Sequence, residues 1–173
     1  MKPKSLLVVP LAFALVFSAC GYHPAGKGSQ LPPTVKTIAV PSFVNQTQTY
    51  HVETRLTEAV VREFNTRTRY RIVSNADDGD AVLRGTVTSA QTVPVTYDSR
   101  TGQVSTSLVT VAMKVTLTAR DGRVLYENPN YIFREQYQIA RETASFFEEQ
   151  GPALDRLSRD FARTLVSNVL EAF

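Results

Sequence analysis

The sequence predicts an α+β domain, a two-layer sandwich in which two helices pack on one face of a mostly antiparallel sheet of four to five strands. Three observations carry this. Two stretches, near residues 50–65 and from Gly151 onward, repeat apolar side chains at the 3.6 period of a helix laid on a core. The run from Ala81 to Ala140 reads as three consecutive strands. Turn-rich segments, Asp98-Ser-Arg-Thr-Gly102 and Arg120-Asp-Gly-Arg123, separate those strands as hairpin loops.

In chain order, Lys2 and Lys4 precede a 12-residue apolar run, Leu6 to Phe17, and the small residues Ser18 and Ala19 lead to Cys20, the one cysteine in 173 residues. A helix needs roughly 20 apolar residues to cross hydrocarbon, so residues 1–19 read as a secretory signal rather than a span. Without a second cysteine the chain forms no internal disulfide. The segment resembles a bacterial lipobox, with Phe17 where Leu is usual. That resemblance implies cleavage before Cys20 and a covalent diacylglycerol and N-acyl lipid (palmitate-type chains) on Cys20, with no other cofactor. Gly21, where a retained inner-membrane lipoprotein carries Asp, implies the periplasmic leaflet of the outer membrane. Each buried acyl CH₂ contributes about 0.8 kcal/mol, so two or three chains make a lasting anchor.

Losing Lys2 and Lys4 takes the basic count from 19 to 17 against 16 acidic residues, a formal charge of +1. The full-chain pI of 9.1 therefore overstates any attraction to phosphate backbones, and no nucleic-acid partner is expected. Residues 20–34, mixing Gly, Pro, Ser and Gln without apolar period, read as a lipidated tether, and residues 35–173 as one domain.

Within that domain Val35–Val40 is a short strand ended by Pro41. Val52, Leu56, Ala59, Val60 and Phe64 then form one helical stripe, opposite Glu53, Glu58, Arg62 and Glu63, with Thr49 as the expected N-cap. Tyr70–Val73 is a second short strand. Asn75–Asp80 lacks the ligand spacing of a calcium loop and reads as a solvated turn, so no metal site is expected. If Arg100-Thr101-Gly102 is a three-residue loop with Gly102 left-handed, Ser99 faces Gln103. Val87 then faces Val115, Val93 faces Val109, Gly85 faces Leu117 and Leu83 faces Ala119. The reverse face pairs Thr86 with Thr116, Thr88 with Lys114 and Thr92 with Thr110, so one face is apolar and the other threonine-rich. A two-residue Asp121-Gly122 turn places Val124 and Tyr126 opposite Ala119 and Leu117 on the apolar face. Tyr131 and Phe133 reach that face only if a one-residue bulge falls at Asn128-Pro129-Asn130. Leu154, Leu157, Phe161, Leu165 and Val169 make the stripe of the closing helix, after Pro152 in its first turn.

Catalytic parts are scarce. The chain has no Gly-x-Ser-x-Gly elbow, no phosphate loop and no pair of histidines at i and i+4. His23 lies in the tether, His51 lies at a helix entrance, and Glu148-Glu149 reads as a solvated approach to the last helix. A binding or assembly role is expected, not an enzyme.

Cys20-Gly21-Tyr22-His23, the early strand and helix, the Arg100-Thr-Gly-Gln103 hairpin tip, the aromatic third strand and the closing helix together resemble the LptE family of outer-membrane lipoproteins. That resemblance implies a plug inside the LptD β-barrel that assists lipopolysaccharide assembly at the cell surface, with basic residues of the sheet binding lipopolysaccharide. Arg100 matches the basic position at the tip, and Arg141 matches a second one. The register after the bulge sets Arg141 opposite Gln103, at the same end as Arg100. Lys114, on the threonine face, is a third candidate. The segment Thr37-Ile-Ala-Val-Pro-Ser-Phe43, with Asn45 and Thr47, also resembles periplasmic domains related to CsgG, TolB and LpoB, which implies the alternative of a secretion component or peptidoglycan synthase activator.

Overall fold

Strand, helix, strand is the opening unit, and its direction decides the sheet. A computed structural model describes residues 31–139 and 150–172. β1 (Thr37–Ala39), β2 (Val44–Asn45), α1 (Val52–Arg67) and β3 (Arg71–Val73) lead through a 3-10 turn at Ala76–Asp78 into β4 (Ala81–Tyr97), β5 (Val104–Ala119) and β6 (Val124–Gln138), and α2 (Gln150–Glu171) closes the fold. The sheet runs β3-β1-β4-β5-β6, with β2 also beside β4. β1 lies parallel to β3 and to β4, and β2 is parallel to β4. The sheet is therefore mixed and six-stranded, not the mostly antiparallel four- to five-stranded sheet expected. The cause is topological: α1 returns the chain to the edge from which β1 started, so β3 joins β1 by a crossover, and β4 then enters on the far side of β1.

The buried residues of both helices and of one sheet face form one apolar cluster. Both expected helical stripes are buried in full. Phe161 stands at the centre, edge-on to Phe133 at 5.2 Å, Tyr131 at 5.9 Å and Phe43 at 6.5 Å. Packing reaches back to Leu31, inside the segment read as tether, which is 2% exposed and whose N–H donates to Tyr70 Oη at 3.1 Å.

α1 starts at Val52 behind His51, not behind Thr49. His51 adopts a left-handed φ of 55° and makes no side-chain cap. The preceding loop uses its polar groups internally: Asn45 Nδ2 donates to the Thr49 carbonyl and to Glu53, and Thr47 Oγ1 accepts the Thr49 N–H. Both backbone groups of Thr49 are thereby tied into the loop before the helix begins.

The long strands show where the expected register holds. Gly102 is left-handed at φ 70°, but Asp98, rather than Ser99, pairs with Gln103 around a four-residue loop. Asp98 Oδ1 accepts the N–H groups of Arg100 and Thr101, which fixes that wider turn. Two further residues of β4, Thr88 and Val95, are bulged out, and Ser105 is bulged on β5. Val87 consequently faces Met113, Gly85 faces Val115 and Leu83 faces Leu117. The bulge at Thr88 also reverses the alternation beyond it, so Val93 pairs with Leu108 on the open face, while Thr92 pairs with Val109.

Between β5 and β6 the bulge at Asn128–Asn130 is present, and Tyr131 faces Met113 and Phe133 faces Val111 as expected. The turn before it differs. Arg120 continues β5 by donating its N–H to the Asp80 carbonyl, so the loop closes between Ala119 and Arg123 with Gly122 left-handed at φ 87°. A second bulge at Leu125 then pairs Val124 with Thr118 on the open face, where Val124 is exposed, and turns Leu125 toward the core.

Candidate functional site at the hairpin tip and open sheet face

β5 carries no extra residue between Thr106 and Ala119, so it defines the two faces. Its odd residues from Ser107 to Leu117 are buried. Its even residues lie on the other face, which no described helix covers. Near the base this open face is polar: Arg84, Thr116 and Glu127 form one row, and Thr86 faces Lys114. Thr88, bulged out of β4, donates its hydroxyl to the Ala112 carbonyl at 3.1 Å. Thr92 belongs to the opposite face. Farther out the open face is mixed, with Val93 beside Leu108 and Ala112 beside Ile132, and Gln91, Thr110 and Arg134 in the row between. Val93 is 46% exposed on this face, and Val95, at the second bulge, and Tyr97 beyond it are exposed as well.

The sequence-predicted site residues separate. Arg100 is exposed at the β4–β5 tip, its backbone N–H held by Asp98 at 2.9 Å. Lys114 lies mid-sheet, its Nζ 3.1 Å from Glu127 Oε1. At about 3.4 Å per residue the two are roughly 35 Å apart along β5, so Lys114 does not join the tip. Arg141 and Cys20 lie outside the described residues. The register that was expected to bring Arg141 to the tip is observed as far as Ile139, which donates its N–H to the Ser105 carbonyl at 3.0 Å.

Sequence reasoning missed the residues that hold the platform. Asp80 Oδ2 accepts the N–H groups of Lys36 at 3.0 Å and Thr37 at 2.9 Å, which clamps the start of β1. Those two backbone bonds hold its carboxyl below the usual range. A turn-rich Asp signals a loop but not its distant partner, so only the Asn-Ala-Asp-Asp-Gly-Asp composition was visible. Under α2, Tyr131 Oη bonds Tyr126 Oη and accepts from Asn168 Nδ2 at 2.8 Å. Burial, followed by the bond to Tyr126, pushes the Tyr131 phenol up to about 12. Among the described residues no three His, Cys, Asp or Glu side chains gather as metal ligands, and no helix is long and apolar enough to cross a membrane.

Comparisons with known proteins agree on this architecture. A chain from Caulobacter crescentus CB15 described as a lipoprotein superposes with a TM-score of 0.54 at 12% identity, over 77% of this chain and 87% of that one. The uncharacterized lipoprotein B of Nitrosomonas europaea gives 0.55 at 13% identity, over 87% and 90%. The hypothetical protein CT253 of Chlamydia trachomatis gives 0.51 at 11%, over 79% and 98%. At such identities these structures share the fold. No curated protein sequence matches. The family model described as LptE, lipopolysaccharide-assembly, matches residues 35–169 and takes in the Thr37–Phe43 segment that suggested the alternative. With α1, the long hairpins and all but the end of the closing helix inside that match, the chain belongs to the LptE family of lipopolysaccharide-assembly lipoproteins.

Proposed function

We propose that this chain is a non-enzymatic lipoprotein held by lipid on Cys20 in the periplasmic leaflet of the outer membrane, where it plugs an LptD-type β-barrel and assists lipopolysaccharide assembly. The observation that carries the reading is the open sheet face. Three strands of 15 to 17 residues present a surface that mixes threonine and amide side chains with a few apolar ones, its charges confined to the rows of Arg84, Lys114 and Arg134. Such a surface suits the wall of a wide, polar barrel lumen. The family match supports the lipopolysaccharide role. In this reading Arg100 and Arg141 meet phosphates of lipid A at the tip, where guanidinium and phosphate pair bidentately, and Lys114 lies on the face turned to the wall.

Photo-crosslinking from position 100 in living cells tests it. Adducts to lipopolysaccharide and to a large β-barrel are expected; adducts to a penicillin-binding protein, or to neither, overturn the reading. For the face, Thr86→Glu, Thr88→Glu and Thr116→Glu together should abolish co-purification of the barrel in mild detergent, and unchanged recovery counts against the contact.

A further inference from the structure

The helix side of the molecule carries a feature that barrel plugging and lipopolysaccharide binding at the tip leave unused. Between α1 and α2 runs a groove of about 470 Å³ whose rim includes Arg55, Glu58, Arg62, Asp155 and Arg159. Its floor is made of small residues, Ala59 and Ser158, which keep the helices close and leave space above them. Ser158 is 2% exposed, and its hydroxyl has no hydrogen-bond partner. A helical serine ordinarily returns its hydroxyl to the carbonyl one turn back. An unpaired buried hydroxyl costs about 1–3 kcal/mol, and here it lines a groove bordered by cations.

Of the nearby carboxylates, all but Glu58 are already engaged. Arg55 is bonded to Asp155 across the helices, Glu63 pairs with Arg67 at 3.3 Å and Asp160 with Arg163 at 3.6 Å. Among the described residues Arg62 and Arg159 have no carboxylate within 4.0 Å, and Glu58 on the rim bridges neither. Two uncommitted guanidiniums from two helices, above one uncommitted hydroxyl, offer planar donors and a hydrogen bond to a tetrahedral oxyanion.

We infer that the groove between α1 and α2 binds a phosphate group through Arg62, Arg159 and the Ser158 hydroxyl. A free phosphate and the headgroup of an anionic phospholipid share that chemistry, and the test separates them. The full-length lipidated protein in zwitterionic detergent is titrated with inorganic phosphate while arginine Nε–H and Ser158 amide signals are followed by NMR. In parallel it is added to phosphatidylcholine vesicles with and without phosphatidylglycerol. Saturable shifts confined to Arg62, Arg159 and Ser158 with phosphate support the site with a free anion. The same shifts only with phosphatidylglycerol vesicles support it with a headgroup. Uniform, unsaturable shifts in both arms overturn it.

Arg62→Gln and Arg159→Gln should each weaken binding about tenfold, the usual size of a lost charge-assisted bond, and Glu58→Gln should tighten it. Ser158→Ala supplies a readout that a packing role does not share: it should raise the melting temperature of the ligand-free protein while weakening phosphate binding. A Ser158→Ala protein that is less stable and binds phosphate unchanged overturns the inference.

Discussion

The sheet has two halves built from the same three strands and used differently. Under the helices, Leu83, Val87, Val115 and Leu117 are sealed, and Phe161 of α2 is wholly buried against Phe133 and Tyr131. Beyond Thr88, β5 still buries Val111 and Val109, but on β4 residues of the same chemical kind, Val93, Val95 and Tyr97, are left in solvent. One half makes the fold stable, and the other is stable because the first exists. Mutations should report that division. Phe161→Ala removes the ring that joins α2 to β6 and should cost about 3–5 kcal/mol in denaturant unfolding followed by circular dichroism. Tyr97→Ala, at a side chain 61% exposed, should fall within about 0.5 kcal/mol of the parent. Comparable losses at the two positions would break the comparison.

A finer test uses close approach. A Cβ placed on Gly85 would sit 2.8 Å from the Phe43 ring and 3.0 Å from Met113 Cε, so the β4 backbone lies directly against the core there. Gly85→Ala should destabilise by about 1–3 kcal/mol through overpacking, and the same measurement checks it. A neutral result would show that Phe43 can move aside, and that the base is looser than its burial suggests.

What could be read beforehand follows the same division. The stripes of α1 and α2 were legible because Val52, Leu56, Phe64, Leu157 and Phe161 repeat at a helical period that packing then satisfies. The bulge at Asn128–Asn130 was legible because Tyr131 and Phe133 would otherwise face water. The bulge at Thr88 was not. Val93 continues the alternation begun at Leu83 and Val87, and an alternating pattern does not disclose that one inserted residue has moved it to the other face. Strand direction was equally hidden, since the three residues of β1 or β3 pair either way and the crossover of α1 decides. At the candidate site the exposed tip at Arg100 followed from its loop, whereas the Asp80 clamp depends on a partner about forty residues earlier.

That clamp gives a prediction with a pH sign. Asp80 is held ionised by the N–H groups of Lys36 and Thr37, so its carboxyl titrates lower in the folded chain than in the unfolded one. Its contribution is present above the unfolded value, about 3.9, and is lost as pH falls through the depressed folded value. Asp80→Asn should lower the melting temperature at neutral pH and flatten its fall on acidification below about pH 4. An unchanged acid slope would mean that β1 is held by its neighbours β3 and β4 alone.

The smallest effects should come from the two left-handed loop glycines, Gly102 at the outer tip and Gly122 at the base. A Cβ at either meets nothing within 4 Å, so alanine there adds backbone strain of about 1 kcal/mol and no clash. The equal strain should nonetheless appear in different places. The turn at Gly122 is tied into the body, because Arg120 donates its N–H to the Asp80 carbonyl and its side chain bonds the Gly79 and Asp77 carbonyls. Opening that turn disturbs the clamp on β1, so Gly122→Ala should lower global stability by most of the strain. Among the described residues the turn at Gly102 closes on Asp98 and Gln103, and the strands behind it can fray without uncovering the core. Gly102→Ala should therefore leave the unfolding midpoint nearly unchanged and speed amide hydrogen exchange only near residues 96–106. Exchange that quickens equally in β1 and at the tip would mean that the outer half of the sheet opens together with the base, as one cooperative unit.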